Sequence, residues 1–311
     1  MLKFPWLAFL AAMGEMICTA PASAEPVSVT QQLRPGGDRI TVVAHRGCHN
    51  AVPAQGIPDA PENSLAALEN CVRLGVDMLE IDVRRSADGA LVLIHDPTVD
   101  RTTDGTGRVA DMTLAQLRAL RLRQNLGGAE APITDERIVT LDEMLMAARG
   151  RVLLNLDIKD AVHTEAIEAV IRAGMADQVI VKSIAGRLTR PLAAMAPYDR
   201  VAFMPILDDP IDPAAVAVRQ MDGAQPIAFE LPTVTPDQLV AVAEASRGRG
   251  IPLWVNTLWG GFVTGWGGDA NALRDPDAVW GRLYRAGVRI FQTDEPTALL
   301  AYRARVAGQE R

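Results

Sequence analysis

Short runs of aliphatic and β-branched residues recur along this chain, separated by longer stretches with helical spacing. That alternation leaves few folds open. Strand-like runs fall at 40–44, 78–83, 152–158, 179–181, 201–204, 227–229, 252–255 and 289–292. Helix-like stretches lie between most of them, at 63–74, 164–173, 213–220, 236–246 and 277–286. Repeated strand–helix units predict a parallel sheet. Eight of them predict a closed (β/α)8 TIM barrel of the α/β class rather than an open sheet. A further run at 91–94 is separated from the second strand only by residues 84–90, with Ser86-Ala87-Asp88-Gly89 as the turn. A parallel crossover needs about a dozen residues, so this run predicts an antiparallel hairpin extension after strand 2.

The 311 residues suit one barrel, and no linker or low-complexity segment divides residues 25–311. Residues 1–24 read as a signal peptide. Lys3 gives a positive start, 7–20 is mostly apolar, and Ala22-Ser23-Ala24 offers a small-x-small cleavage site. Glu15 interrupts the apolar run, and the rival reading is an uncleaved anchor. Cleavage predicts a periplasmic or secreted protein with no stable membrane anchor. The net charge of -7 and the absence of a basic block argue against nucleic acid as a partner. An anionic substrate then needs cations placed locally.

An oxidising compartment raises the question of a disulfide between Cys48 and Cys71. With Cys48 at the top of the first strand and Asn63 opening the next helix, Cys71 lies roughly 12 Å down that helix. A disulfide needs Cα atoms within about 7 Å, so this geometry predicts two free thiols. The sequence is silent on oligomeric state.

TIM-barrel active sites form at the C-terminal ends of the strands. His45-Arg46-Gly47 ends the first strand, Glu80-Ile81-Asp82 lies in the second, Asn155-Leu156-Asp157-Ile158-Lys159 in the third, and Thr293-Asp294-Glu295-Pro296 follows the last. Residues two apart on a strand share a face, so Glu80 pairs with Asp82 and Asp157 with Lys159. Carboxylates converging in a barrel mouth repel one another and gain proton affinity. A hard divalent cation such as Mg²⁺ or Ca²⁺ relieves that repulsion. A salt-bridge network with Arg46 and Lys159 relieves it equally well, and spacing alone leaves both readings open. His45 and His95 are two of only four histidines and stand at strand or hairpin ends, where a general acid or base belongs. Arg46 and Lys159 suit a phosphate, one as a fork and one as a point charge.

The stretch from Val42 to Leu120 resembles the glycerophosphodiester phosphodiesterase family, the phospholipase C-like phosphodiesterase barrels. The resemblance rests on His45-Arg46-Gly47, Pro61-Glu62-Asn63-Ser64, Glu80-Ile81-Asp82-Val83, Asp88-Gly89 and His95-Asp96-Pro97-Thr98 followed by Asp100-Arg101-Thr102-Thr103-Asp104-Gly105. Asp157-Ile158-Lys159 and Thr293-Asp294-Glu295-Pro296 extend it toward the C-terminus. It implies a TIM barrel, a divalent metal, and hydrolysis of a small-molecule glycerophosphodiester to glycerol phosphate and an alcohol. It implies His45 and His95 as catalytic, Glu80, Asp82 and Asp157 as metal ligands, and Arg46 and Lys159 as substrate-binding cations. Glu62 and Asn63 would support the site, with Glu62 holding Arg46 or a metal-bound water.

Three departures from the family pattern bear on specificity. Asp157 stands where the family usually has glutamate, one methylene longer. The link from Cys48 to Ala60 is longer than usual and carries His49, Pro53 and Pro58. Residues 256–271 are rich in glycine and aromatics, so Trp254 and Trp259 are expected to pack on a glycerol or a choline-like cation, unless the loop packs on itself. Two rival functions remain on this reading. One is a phosphodiesterase or phospholipase D-like enzyme acting on lysophospholipids or sugar phosphodiesters. The other is a non-catalytic periplasmic binding protein on a degenerate barrel, and Asp157 is its best support.

Overall fold

The computed structural model describes residues 28–309 except Ala224. The signal-peptide reading of residues 1–24 therefore falls outside the described residues. Among the described residues nine strands form one sheet: β1 (Thr41–Ala44), β2 (Met78–Arg85), β3 (Leu91–Leu93), β4 (Leu153–Ile158), β5 (Val179–Ala185), β6 (Ala202–Leu207), β7 (Phe229–Leu231), β8 (Leu253–Asn256) and β9 (Val288–Thr293). Their order is β1-β9-β8-β7-β6-β5-β4-β2-β3, and β1 also pairs with β2, which closes eight parallel strands into a barrel. β3 pairs antiparallel with β2 through Val83 and Leu93, the hairpin that the short link requires.

Helices follow the strands: α1 (Val29–Gln32), α2 (Leu65–Leu74), α3 (Leu114–Ala119), α4 (Leu141–Ala148), α5 (His163–Arg172), α6 (Pro213–Gln220), α7 (Pro236–Arg247), α8 (Asp269–Ala272), α9 (Arg282–Arg285) and α10 (Pro296–Gln309). The stretch expected as one helix over 277–286 begins as a π-helical turn at Asp277–Gly281 and continues as α9. The helix expected from Asn63 begins at Leu65. Ser64 caps it by accepting the Ala67 N–H, and Asn63 takes a left-handed φ of 55°.

The barrel interior is built in two tiers, and the period of two along each strand sets both. The lower tier is apolar: Val43, Met78, Leu153, Ile180, Met204, Ala228, Trp254 and Ile290 pack together, with Val29 and Leu33 closing the N-terminal end. Two residues farther along, the same inward face carries His45, Glu80, Asn155, Lys182, Glu230, Asn256 and Gln292. All seven are buried. Polar side chains in a barrel core must find partners or a ligand. The outward alternates, among them Leu79, Ile81, Leu154, Leu156 and Val181, pack against the helices.

Cys48 and Cys71 form a disulfide, with Cα atoms 5.1 Å apart, so the expectation of two free thiols is wrong. The chain does not stay at the top of β1. Arg46 and Gly47 adopt φ values of 55° and 87° and turn it back along α2, where the Cys48 N–H donates to Ala67 O. Gly47 allows the approach, because a Cβ there would sit 2.8 Å from Ala67 Cβ. The disulfide therefore ties the His45–Gly47 turn to α2. Replacing both cysteines by serine is expected to lower unfolding stability by about 2–4 kcal/mol, measured by denaturant titration.

Candidate active site

Above the upper tier, the strand ends place three carboxylates together. Asp82 on β2 and Asp157 on β4 are direct register partners, and Glu80 points inward one step below. One oxygen from each of Glu80, Asp82 and Asp157 lies within 4.8 Å of the others. Arg46 closes one side. Its left-handed turn lets the backbone N–H donate to Glu80 Oε2 at 3.0 Å, and its guanidinium reaches both Glu62 oxygens at 3.1 and 3.2 Å. Arg46 Nε lies 3.5 Å from Asp82. Asn63 clamps Asp82 twice: its Nδ2 donates to Oδ2, and its Oδ1 accepts the Asp82 N–H, both at 2.9 Å. Lys159 Nζ lies 3.1 Å from Asp82 and 3.0 Å from Asp157.

The electrostatics divide these carboxylates. Burial, reinforced by Asp82, pushes the Glu80 carboxyl well above its ordinary range. Burial acts the same way on Asp82 and Asp157, but cations outweigh it: Lys159 and Arg46 hold Asp82 low, and Lys182 and Lys159 hold Asp157 low. Glu80 thus sits in a place short of positive charge, with the Arg46 N–H as its donor. Three carboxylate oxygens around that deficit fit a hard divalent cation.

Two histidines flank the carboxylates, each oriented by an aspartate. His45 Nδ1 donates to Asp294 Oδ1 at 2.8 Å and His95 Nδ1 to Asp96 Oδ1 at 2.7 Å. In each ring the bond occupies Nδ1, and Nε2 lies outside it. Burial lowers the proton affinity of His45 despite the pull of Asp294. Arg101 grips Asp96 at 2.8 and 3.0 Å and Glu62 at 2.7 and 2.9 Å. Glu62 therefore links the two halves of the site by bridging Arg46 and Arg101. The Asp294 N–H is held in turn by Asp269 Oδ2 at 2.8 Å, and burial pushes the Asp269 carboxyl up to about 7.

The structure brings together His45, His95, Arg46, Lys159, Glu80, Asp82, Asp157, Glu62 and Asn63. It does not bring Trp254 with them as a substrate platform, and that expectation is corrected. Trp254 is 0% exposed, because it faces inward in the apolar tier below the polar one. Its Nε1 donates to Asn256 Oδ1 at 2.8 Å. Trp259 is 60% exposed and its ring lies 4.6 Å from that of Phe262, so this loop packs partly on itself. Sequence reasoning passed over Lys182, whose Nζ joins Asp157 at 3.2 Å to Glu230 at 3.1 Å. By composition the apolar run of β5 stops at Val181, but counting by two from Ile180 reaches Lys182.

The sequence model of the glycerophosphoryl diester phosphodiesterase family matches residues 45–204, about half of the chain and most of these residues. The chain belongs to this family. A domain of unknown function matches residues 203–303. Glycerophosphodiester phosphodiesterase 1 of Homo sapiens is 41% identical over 152 residues, covering 47% of this chain and 43% of the human protein. Glycerophosphodiester phosphodiesterase of Caldanaerobacter subterraneus is 34% identical over 170 residues, covering 52% of this chain and 65% of that one. The chain thus spans less than two thirds of the length of either curated relative. A crystal structure of the Agrobacterium tumefaciens glycerophosphodiester phosphodiesterase superposes with a TM-score of 0.60 at 27% identity, covering 84% of this chain and 99% of that one.

Proposed function

We propose that this protein hydrolyses glycerophosphodiesters to glycerol phosphate and an alcohol. The observation that carries the reading is one cluster holding the acidic triad, two aspartate-oriented histidines and the cations Arg46 and Lys159. A divalent cation held by Glu80, Asp82 and Asp157 would supply Lewis acidity toward a phosphoryl oxygen. Arg46 and Lys159 bind the remaining phosphoryl oxygens and offset the charge that builds in the transition state. Glu62 and Arg101 keep Arg46 in place.

His45 serves as the base. Burial keeps its imidazole neutral, and Nε2 holds the lone pair. His95, with a side chain 35% exposed, donates a proton to the departing alkoxide. The nucleophile is water or the glycerol hydroxyl next to the phosphate, and both require the same base.

A substrate with an apolar tail is the second reading. Ile184, Leu188, Ile211 and Trp259 are exposed on segments at or after the C-terminal ends of β5, β6 and β8, on the face that carries the site. Among the described residues no helix is long and apolar enough to cross a membrane. The test is turnover of glycerophosphocholine and lysophosphatidylcholine after EDTA treatment, with Mg²⁺ or Ca²⁺ added back. Metal-restored release of glycerol phosphate supports the first reading, and preference for the lysolipid the second. Full activity retained in EDTA would contradict the assignment of the acidic triad.

A further inference from the structure

The long link after Arg46 carries a buried histidine that the proposed reaction does not use. Both ring nitrogens of His49 face oxygen: Nδ1 lies 3.1 Å from Asn50 Oδ1, and Nε2 lies 3.2 Å from Asp294 Oδ1. A neutral imidazole can donate to only one of them. Turning the Asn50 amide would offer an NH2 to Nδ1 and remove the conflict. Two neighbours forbid that turn. Asn50 Nδ2 donates to the Asp294 carbonyl at 3.0 Å, and Asn50 Oδ1 accepts from Asn125 Nδ2 at 3.2 Å. Asn125 is fixed as well, because its Nδ2 also meets the His49 carbonyl at 3.0 Å and Asp59 Oδ1 at 2.8 Å. Turning either amide would set oxygen against oxygen.

We infer that His49 holds a proton on both ring nitrogens and stands as an imidazolium on Asp294, where it acts as a positioning residue for His45. Asp294 Oδ1 takes hydrogen bonds from both histidines. Burial favours a neutral Asp294, yet these two bonds hold its carboxyl well below the usual range. A lone carboxylate behind His45 would favour an imidazolium there. With a second cation on the same oxygen, the Asp294–His49 pair carries no net charge, and His45 stays a neutral base in a fixed tautomer. Of the other charges facing these rings, Arg46 and Asp82 act on His45 with opposite signs. Glu295 faces His49, and its carboxyl is pushed up by burial and by Asp294. The tuning role rests on the reading of His45 as base, whereas the charge of His49 does not.

The experiment is ¹H–¹⁵N imidazole NMR on the full chain. At neutral pH, His49 is expected to show both nitrogens protonated, and His45 only Nδ1. In His49→Gln, Asp294 keeps a donor but loses the charge. The His45 titration midpoint is then expected to rise by about one pH unit, and the acidic limb of the kcat/KM profile with it. A neutral His49 in the wild-type chain would overturn the charge assignment. An unmoved His45 midpoint in a folded His49→Gln would overturn the tuning role. Neither NMR readout needs turnover, so a chain inactive on every phosphodiester would still answer both questions.

Discussion

Glu80→Gln is expected to abolish divalent-cation binding and to lower phosphodiester hydrolysis by about a hundredfold or more, while the metal-free protein stays folded. The glutamine oxygen can keep accepting the Arg46 N–H that Glu80 Oε2 now accepts. What disappears is a negative ligand. Glu80 is pushed well above the ordinary 4.5 of a glutamate, first by burial and then by Asp82. A carboxyl whose proton affinity is higher in the folded state contributes stability at low pH and loses it as pH rises past its unfolded value. Metal-free wild type should therefore lose stability above about pH 4.5 relative to the glutamine variant. Calorimetric titration with Mg²⁺ and Ca²⁺, together with Tm measured between pH 4 and 8 in EDTA, checks both halves. Metal binding by Glu80→Gln at wild-type affinity would remove Glu80 from the ligand set.

His45→Ala and His95→Ala are each expected to reduce kcat by roughly 10²–10⁴-fold, with metal binding intact. They should differ in pH dependence. His45 is the base on this account, and burial lowers its proton affinity below the ordinary 6.5. Its basic form then persists to lower pH, and the acidic limb of kcat/KM in the wild type should fall below 6.5. His45→Ala removes that limb, and His95→Ala preserves it. A substrate whose leaving group needs no proton, such as a nitrophenyl ester, should restore much of the activity of His95→Ala and little of that of His45→Ala. The reverse pattern would exchange the two roles.

Much of this architecture is legible in the sequence, because one period governs it. Apolar residues at alternate positions mark each strand, and the short link at 84–90 forces β3 to turn back as a hairpin. The charged pairs Glu80/Asp82 and Asp157/Lys159 stand out because charge is rare on such strands. Residues that depend on chain reversals are harder to read. The turn at Arg46 and Gly47 carries Cys48 down beside α2, and neither its path nor the disulfide follows from helical rise alone. Trp254 looks like a mouth residue by its position near a strand end, but the two-tier count puts it one step too low. His49 and Asp294 are 245 residues apart, and only barrel closure between β1 and β9 makes them neighbours.

The most direct test of the central claim is ³¹P NMR of glycerophosphocholine turnover in ¹⁸O-water with Mg²⁺ or Ca²⁺ present. The account predicts glycerol phosphate carrying one ¹⁸O, with free choline, formed about a hundredfold or more slowly by Glu80→Gln. Phosphocholine as the product, or no turnover by a wild-type chain that binds the metal, would contradict it.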